Sequence, residues 1–494
     1  MDLLQVQAGK IVDGDGNPVR LRGVGVGGWM NMENFINGYP GTEENLRRTM
    51  ADVIGKEKAY HFFNEMLDHF FSEEDIVFIK DSGANVVRLA LNYRHFESDD
   101  KPFEYRSEGF ERLEKVIDWC EKHKIYAILD MHSVQGAQNT DWHSDNPTRH
   151  GLFWKHPHFQ VRFIELWKKI AIRFSDKPCV AGFNVMNEPV TPADRGRYSS
   201  EHPEPVFERL NSIYRRVVEA IREVNQNHII FLEGDLFSNR FEGLDEPFAE
   251  NLVYSIHNYI PPTFHPGEYP GVFMNSKWNR EAVVKDIVES EGFKFARKHG
   301  VPLWVGEFGA DLNGPEEERP HRIKALKDQI DVFEELGIHW TLWCYKDVGV
   351  MGWTRVKPDS EYMKAIKPLR EAKEKLSADF WEDWKKPTMA RDLIRLLTRH
   401  IDEVLCEYTD IRANEMFMRQ AALSNYVGGL LQPLYAECFK DMDKDDISKV
   451  MESFDLGNCN INENITGCFG KHVQKPVVQQ ESIDIKKSIR DEEI

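Results

Sequence analysis

The sequence lacks the features that place a protein in a membrane or on a nucleic acid. It contains no run of roughly 18 apolar residues, which is the length that a membrane-spanning helix requires. Basic residues are in deficit, with 63 Lys and Arg against 82 Asp and Glu, so the formal net charge is -19. Because this charge repels polyanions, we do not expect nucleic acid as a partner.

Cysteine is scarce, and its positions indicate neither a disulfide framework nor a metal site. Seven cysteines are scattered over 494 residues without the close spacing of zinc ligands. The first residues, MDLLQVQAGKIVDGDG, lack the basic, apolar and small-residue regions of a secretion signal. We therefore expect reduced thiols, no metal, and a cytoplasmic location unless a leader peptide has been removed.

What the chain does contain is a repeated alternation of short apolar runs with longer amphipathic stretches. In residues 110–124, for example, apolar side chains recur every three or four positions, as they do on one face of a helix. The apolar runs occupy residues 19–29, 85–92, 126–133, 180–188, 228–235, 252–259, 303–310 and 339–346.

Eight buried strands that alternate with helices favour a closed (β/α)8 barrel of the TIM type, an α/β fold. The alternative is an open, doubly wound sheet, which usually carries a glycine-rich phosphate turn after its first strand. The glycines of GVGVGG at 23–28 lie within the first apolar run instead, so the pattern favours the barrel.

Both ends of the chain depart from the repeating pattern. Residues 8–23 predict a hairpin, with its turn at Asp15 and Gly16, that closes the bottom of the barrel. After residue 370 the alternation stops and helical spacing takes over. We expect residues 1–370 to form the catalytic barrel with its hairpin, residues 371–475 a mainly helical C-terminal extension, and residues 476–494 a flexible tail.

The stretch FNVMNEPV, residues 183–190, ends an apolar run abruptly in Asn187 and Glu188, and Pro189 prevents further strand pairing. Such residues are common in turns, but the carboxyl ends of barrel strands also carry catalytic groups. The other predicted strands likewise carry polar side chains within or after their last residues. They are Arg88, Asp130, His132, Ser133, Glu233, Asp235, His257, Asn258, Tyr259, Glu307 and Lys346.

Two of these groups, Glu188 and Glu307, have the chemistry needed to break a glycosidic bond. One carboxylic acid can donate a proton to the leaving oxygen while the other, kept ionised, attacks the anomeric carbon. Arg88 and Tyr259 are suitable neighbours for the ionised partner, because a guanidinium and a phenol both stabilise a carboxylate. Histidines at 132 and 257 could bind sugar hydroxyls or adjust the acid.

These residues resemble glycoside hydrolase family 5, the clan A retaining β-glycosidases that include cellulases and exo-β-glucanases, over roughly residues 5–350. The resemblance implies that Glu188 is the acid/base, that Asn187 binds the sugar 2-hydroxyl and that Glu307, within WVGEFG, is the nucleophile. It implies supporting roles for five further residues. They are Arg88, His132, His257, Tyr259 and Trp343.

A second similarity concerns GGWMNMENF, residues 27–35, which is similar to a stretch of the family's exo-acting glucanases. It implies that Glu33 closes the glucose-binding end of the pocket. Aromatic rings can also stack on the apolar face of a sugar. Candidates for such a platform, besides Trp343 beneath the reactive sugar, are Trp29, Trp142, Trp154 and Trp353.

The sequence thus predicts a hydrolase that needs neither metal nor cofactor and cleaves β-glucosides or β-glucan oligosaccharides by double displacement, with a leaning towards chain ends. Three alternatives stay open: an endo-acting β-glucanase, a carbohydrate-binding barrel without turnover, and a metal-dependent hydrolase. The stretch DWHSDN, residues 141–146, holds carboxylates and an imidazole, but a loop that contacts substrate or solvent explains it without a metal.

Overall fold

Eight parallel strands close into a barrel, as the sequence predicts. The computed structural model describes residues 1–191, 203–379, 381, 387–408 and 413–473. Each strand pairs with its neighbours in chain order, and the last pairs with the first. The strands are β1 (Arg22–Val26), β2 (Val86–Asn92), β3 (Tyr126–Ser133), β4 (Val180–Asn184), β5 (Ile229–Glu233), β6 (Leu252–His257), β7 (Leu303–Glu307) and β8 (His339–Trp343).

Amphipathic helices surround the barrel and bury its outer surface. In α4 the apolar positions Leu113, Ile117 and Cys120 are fully buried, which is the face that the spacing of residues 110–124 predicts. The helices are α1 (Glu43–Ile54), α2 (Lys56–Phe70), α3 (Glu73–Asp81), α4 (Ser107–His123), α5 (Pro157–Arg173), α6 (Pro203–Arg222), α7 (Arg280–Glu289), α8 (Glu291–His299) and α9 (Arg319–Leu336).

The N-terminal residues cover the bottom of the barrel. Strands Gln5–Gln7 and Lys10–Val12 pair antiparallel, and the turn at Asp15 and Gly16 that follows is closed by a bridge between Val12 and Pro18. Leu4 and Ile11 pack in one apolar cluster with barrel residues such as Trp304. The amino ends of the strands are therefore closed, and the carboxyl ends remain for a binding site.

The chain after the barrel is mainly helical and lies against it. Phe439 packs on Phe62 of α2 with ring centroids 4.8 Å apart, and Phe469 packs on Trp340 of β8 at 5.1 Å. The helices are α10 (Lys367–Leu376), α11 (Met389–Leu405), α12 (Glu415–Arg419), α13 (Gly428–Glu437), α14 (Lys444–Met451) and α15 (Glu463–Val473). The tail expected at 476–494 lies outside the described residues.

One short strand of this region, Cys459–Ile461, pairs antiparallel with Thr354–Val356, which follows the barrel. All seven cysteines are free thiols. Among the helices described, none has the combined length and apolar character that crossing a membrane requires.

Candidate active site

Glu307 lies at the end of β7, where two side chains hold its carboxylate. The guanidinium of Arg88 donates from Nη1 to Oε1 at 2.5 Å, and the phenol of Tyr259 donates to Oε2 at 2.9 Å. Arg88 comes from the middle of β2, and its side chain is fully buried. Each oxygen of Glu307 therefore accepts from a separate donor, which fixes the orientation of the carboxylate.

Buried carboxylates keep Arg88 charged. Burial opposes the charge, but the negative neighbours outweigh it, so the pKa of the guanidinium is raised above its ordinary value. The Arg88 Nη2 atom lies 3.1 Å from Asp130 and 3.4 Å from Glu233. An unpaired arginine at this depth would be costly, so the strand-end carboxylates explain how it can be buried.

Glu188 follows β4 in a strained backbone conformation, with φ at 45°. Its amide donates to Oε2 of Glu233 at 2.8 Å. Two imidazoles hold its carboxylate, since His257 Nδ1 lies 2.6 Å from Oε1 and His143 Nε2 lies 3.0 Å from Oε2. The backbone and both carboxylate oxygens are thus positioned by buried partners.

The protonation of this cluster differs from the sequence expectation. Burial raises the pKa of Glu188, but hydrogen bonds from His143 and His257 outweigh it and hold that pKa well below its usual range. Burial lowers the pKa of His257, but Glu307, Glu233 and Glu188 outweigh it and raise the pKa to about 10. Both shifts favour an ionised Glu188 that accepts hydrogen bonds from protonated imidazoles.

Glu188 and Glu307 face each other across a short gap. One ligand atom from each of Glu188, His257 and Glu307 lies within 4.8 Å of the others. A carboxyl separation of about 5 to 5.5 Å is typical of glycosidases that retain configuration, whereas inverting enzymes keep about 6.5 to 9.5 Å. The same three groups could also bind a divalent cation, whereas the sequence predicts a hydrolase that needs no metal.

A polar wall stands beside this pair. The Nδ1 atom of His132 lies 2.7 Å from Asp130, and its Nε2 atom lies 3.5 Å from Glu33. The ring of His132 stacks on Trp343, with centroids 5.1 Å apart and planes 2° from parallel. Asn187 accepts a 2.6 Å hydrogen bond from Arg88 through its side-chain oxygen, which fixes the orientation of its amide.

A cavity of about 770 Å³ opens above the two carboxylates. It brings together most of the residues that the sequence singles out. Those on its wall are Glu33, His132, Trp142, Glu188, Tyr259, Glu307 and Trp343. Arg88, Asn187 and His257 lie behind this wall, in contact with the residues that form it.

Three tryptophans proposed as sugar platforms are not on the cavity wall. Trp29 is 1% exposed and donates from its indole to the carbonyl of Leu67. Trp353 is fully buried and stacks on Phe469 at 4.4 Å. Trp154 donates to the carbonyl of Gln138. These indoles fill the space beneath the loops, and the prediction that they form a platform is therefore wrong.

Several residues that line the cavity have no role predicted from the sequence. His143 lies in the stretch DWHSDN, which the sequence predicts to be a loop that contacts substrate or solvent, and its bond to Glu188 follows only from the folded loop. Phe237 follows β5 in a left-handed conformation. The region after the barrel contributes Trp381, Met416 and Gln420. No local signal in the sequence connects these positions to the barrel.

Comparison with known proteins agrees with this geometry. The family model Cellulase (glycosyl hydrolase family 5) matches residues 49–349. The chain belongs to glycosyl hydrolase family 5. It is therefore an O-glycosyl hydrolase with a carbohydrate substrate, and the resemblance drawn from the strand-end residues is confirmed.

Three relatives illustrate the range of the family. A Beta-xylosidase from Phanerodontia chrysosporium is 37% identical over 481 residues, covering 93% of this chain and 96% of that protein. Endoglucanase C from Acetivibrio thermocellus is 28% identical over 325 residues, covering 58% and 87%. A protein named "Probable glucan 1,3-beta-glucosidase A" from Aspergillus clavatus is 24% identical over 375 residues, covering 67% and 84%.

The match to the xylosidase extends well past the barrel. An alignment that covers 93% of the chain must include most of the residues after 370. The family model, in contrast, ends at residue 349. Most of the sequence after residue 370 is thus matched by the xylosidase, whereas the match of the family model ends at residue 349.

Proposed function

We propose that this glycoside hydrolase cleaves the bond between a terminal β-linked glucose and its leaving group, by double displacement with retention of configuration. Its substrates are β-glucosides or short β-glucan oligosaccharides. The observation that carries the proposal is the short distance between Glu188 and Glu307, whose carboxylates differ in their hydrogen-bond partners.

In the first step a carboxylate oxygen of Glu307 attacks the anomeric carbon, and the bond to the leaving oxygen breaks. Glu188 gives its proton to that oxygen, so the leaving group departs as a neutral alcohol. In the second step the Glu188 carboxylate removes a proton from water. The resulting hydroxide attacks the anomeric carbon and releases Glu307.

The proton for the first step comes from the imidazole cluster. The pKa shifts favour a protonated imidazole and an ionised Glu188 before substrate binds. When the oxygen of a bound glycoside comes next to Glu188, a proton passes from His257 or His143 to Glu188 and from Glu188 to that oxygen. After the transfer one imidazole is neutral and Glu188 is again ionised, so Glu188 can remove a proton from water in the second step and return it to that imidazole.

The glycone end of the cavity supports action at chain ends. Glu33 lines the cavity and is 3% exposed; its Oε1 atom accepts no hydrogen bond of good geometry from the described residues, and His132 Nε2 lies 3.5 Å from it. A buried carboxylate oxygen with so weak a contact is costly, and a sugar hydroxyl could donate a hydrogen bond to it. His132 and Trp343 next to it supply a further polar group and an aromatic face for one glucose.

The extension forms the wall behind this position. The indole of Trp381 packs against Phe35 at 6.4 Å, against Phe264 at 4.8 Å and against Tyr259 at 6.2 Å. Tyr259 donates to Glu307, and Phe35 follows Glu33 by two residues, so these rings are next to both carboxylates. A second glucose on the non-reducing side would meet this wall, which favours the release of single sugars.

Buried polar contacts hold the wall in place. Lys373 of α10 forms a 2.9 Å ion pair with Asp379 and donates to the carbonyl of Gly38 at 3.2 Å. The amide of Trp381 in turn donates to Asp379 at 3.1 Å. The extension is thus bonded directly to the loop that carries Glu33, and breaking these contacts would expose a buried charge.

Proton NMR of the first product tests the chemistry, because retention releases β-glucose before it equilibrates with the α form. Initial release of α-glucose would overturn the mechanism. A 2-fluoro glycoside that turns over slowly should add the mass of one sugar at Glu307, whereas a carbohydrate-binding barrel without turnover gains none. On cellotetraose, glucose and cellotriose as the only first products support action at chain ends, and cellobiose among the first products would support an endoglucanase.

A further inference from the structure

The position of Glu188 identifies the part of the cavity that receives the leaving group. Glu188 protonates the leaving oxygen, so the atoms beyond that oxygen lie next to the side chains around Glu188. Glu33 and Trp381, which we assign to the sugar end, line the same cavity. The surroundings of Glu188 therefore determine which alcohols the enzyme can release, provided that the proposed roles of the two carboxylates hold.

Aromatic and aliphatic side chains line this outer part of the cavity. The ring of His143 is flanked by Trp142 at 5.9 Å and by Phe237 at 6.1 Å. Ile260 and Pro261, which follow Tyr259, also line the cavity, and Met274 reaches in from the tip of a hairpin between strands Gly271–Phe273 and Ser276–Trp278. Apart from the indole nitrogen of Trp142, these flanking side chains offer no group that could bond a hydroxyl, and the polar groups beside them, Asp141 and Gln420, lie 3.5 Å from each other.

The loop that presents Phe237 is held in a strained conformation. Leu236, Phe237 and Ser238 have φ values of 51°, 55° and 66°, which place three consecutive residues in the left-handed region. The Ser238 hydroxyl donates to Glu233, and Asp235 accepts from the amide and hydroxyl of Thr191 at 2.8 Å each. Such strain persists only where surrounding contacts impose it, and it concentrates at functional sites.

The tip of the hairpin carries an apolar side chain that is exposed to water. Met274 is 68% exposed, although exposure of a large apolar side chain to water is unfavourable. Because it borders the cavity, a ligand that extends out of the active site would cover it. A sugar residue in that place would instead leave most of its hydroxyls without partners on these side chains.

We propose that this outer region, lined by Trp142, Phe237, Ile260, Pro261 and Met274, is a subsite for an apolar aglycone, and that the preferred substrate is a β-glucoside of an extended hydrophobic alcohol. The inference rests on the proposed function, because it requires Glu188 to face the leaving group. The cavity of about 770 Å³ is larger than one glucose fills and lies in the range that encloses drug-sized apolar ligands.

A series of n-alkyl β-glucosides, from methyl to octyl and used below their micelle concentrations, tests the subsite. Beyond ethyl the leaving alcohols have nearly the same acidity, so the chemical step stays constant while the buried length grows. We expect kcat/KM to rise roughly fourfold for each methylene that enters the subsite, the factor that corresponds to about 0.8 kcal/mol. A flat or falling series would overturn the proposal.

Two variants locate the effect. Phe237→Asn removes the ring but keeps a residue that tolerates the left-handed backbone, and we expect kcat/KM for octyl glucoside to fall at least tenfold more than that for methyl glucoside. Val272 lies on the hairpin that carries Met274, is 70% exposed and is not on the cavity wall. The Val272→Asn variant should therefore leave the dependence of kcat/KM on chain length unchanged. If kcat/KM rises with alkyl chain length equally steeply in the Phe237→Asn variant and in the wild type, the assignment is wrong.

The series also separates two kinds of failure. If methyl and aryl β-glucosides are hydrolysed but chain length has no effect, the aglycone subsite is wrong and the catalytic proposal stands. If no β-glucoside is hydrolysed, the proposed function itself fails. A faster reaction on cellotriose than on octyl glucoside would show that the outer region binds sugar, and that result would overturn the apolar assignment.

Discussion

His143 Nε2 lies 3.0 Å from Oε2 of Glu188, on the side opposite His257, whose Nδ1 atom lies 2.6 Å from Oε1. The carboxylate is thus held between two imidazoles. Because the donors stabilise the ionised form, they oppose the acid role in the first step and assist the base role in the second. His143 is therefore a positioning residue whose loss should affect the two steps differently.

Replacing His143 with Gln should raise the pKa of Glu188 towards its ordinary range, because one of two donors loses its charge. Activated dinitrophenyl glucosides make the second step limiting, and in that step Glu188 must be ionised. We expect the acidic limb of the kcat profile to move to higher pH, with kcat falling roughly tenfold at most, as one charge-assisted hydrogen bond is weakened.

A matched substitution on the same loop provides the control. His150 is exposed, and its imidazole makes no described contact with Glu188. The His150→Gln variant should therefore keep the wild-type profile between pH 3 and pH 7. If both variants shift the profile equally, the effect comes from the loop and not from the bond between His143 and Glu188.

Glu188→Gln should abolish proton donation while keeping the shape of the side chain. Alkyl glucosides need a protonated leaving oxygen, and their kcat/KM should fall about 10²- to 10⁴-fold. Dinitrophenolate is a good leaving group and departs without a proton, so kcat/KM for dinitrophenyl glucoside should fall far less. Steady-state kinetics on both substrates give the comparison, and an equal loss on both would exclude Glu188 as the acid.

The raised pKa of His257 predicts a stability change at high pH. A histidine whose folded pKa is about 10, against 6.5 when unfolded, stabilises the fold fully below pH 6.5 and loses that contribution as the pH rises through 10. We expect the difference in unfolding free energy between wild type and His257→Gln to shrink from pH 6.5 to pH 10. Urea titrations at five pH values measure it, and a constant difference would contradict the shift.

Removal of metal ions should leave the activity unchanged. Glu188, His257 and Glu307 are close enough to bind a divalent cation, but double displacement assigns all three to proton transfer and nucleophilic attack. We expect kcat/KM to survive dialysis against EDTA. A loss of activity that added zinc or manganese restores would favour the metal-dependent alternative over the proposed mechanism.

The barrel and the two carboxylates were accessible to sequence reasoning because their signals are local. Residues 86–92 form a continuous apolar run with one arginine inside it, and a charge at such a position needs buried partners. Glu188 and Glu307 each end an apolar run, and the ends of parallel strands meet at one face of the barrel. Closure of the barrel then brings residues 119 positions apart into one site.

The rest of the site depends on contacts that no local pattern contains. Trp29 and Trp142 both lie in segments next to strands, and only packing decides that the first fills the core and the second faces the cavity. The helical spacing after residue 370 predicts helices, but it does not predict which barrel loop they contact. The bond from Lys373 to Gly38 spans 335 residues.

Trp381→Ala tests the wall behind the glycone site. Loss of the indole would open the space next to Phe35 and Glu33, so that an oligosaccharide could extend past the reactive sugar. With cellotetraose labelled at its reducing end, we expect the first products of the wild type to be unlabelled glucose and labelled cellotriose, and those of the variant to include unlabelled cellobiose as well. Mass spectrometry of early products distinguishes the two patterns.

Two further variants show whether the wall acts directly. Trp381→Phe keeps an aromatic ring and should restore glucose as the main product. Phe469→Leu disturbs packing of the extension on Trp340 and Trp353, away from the cavity wall, so it should lower stability without changing the product pattern. Cellobiose release by Phe469→Leu, or its absence in Trp381→Ala, would show that Trp381 does not limit the glycone site to one sugar.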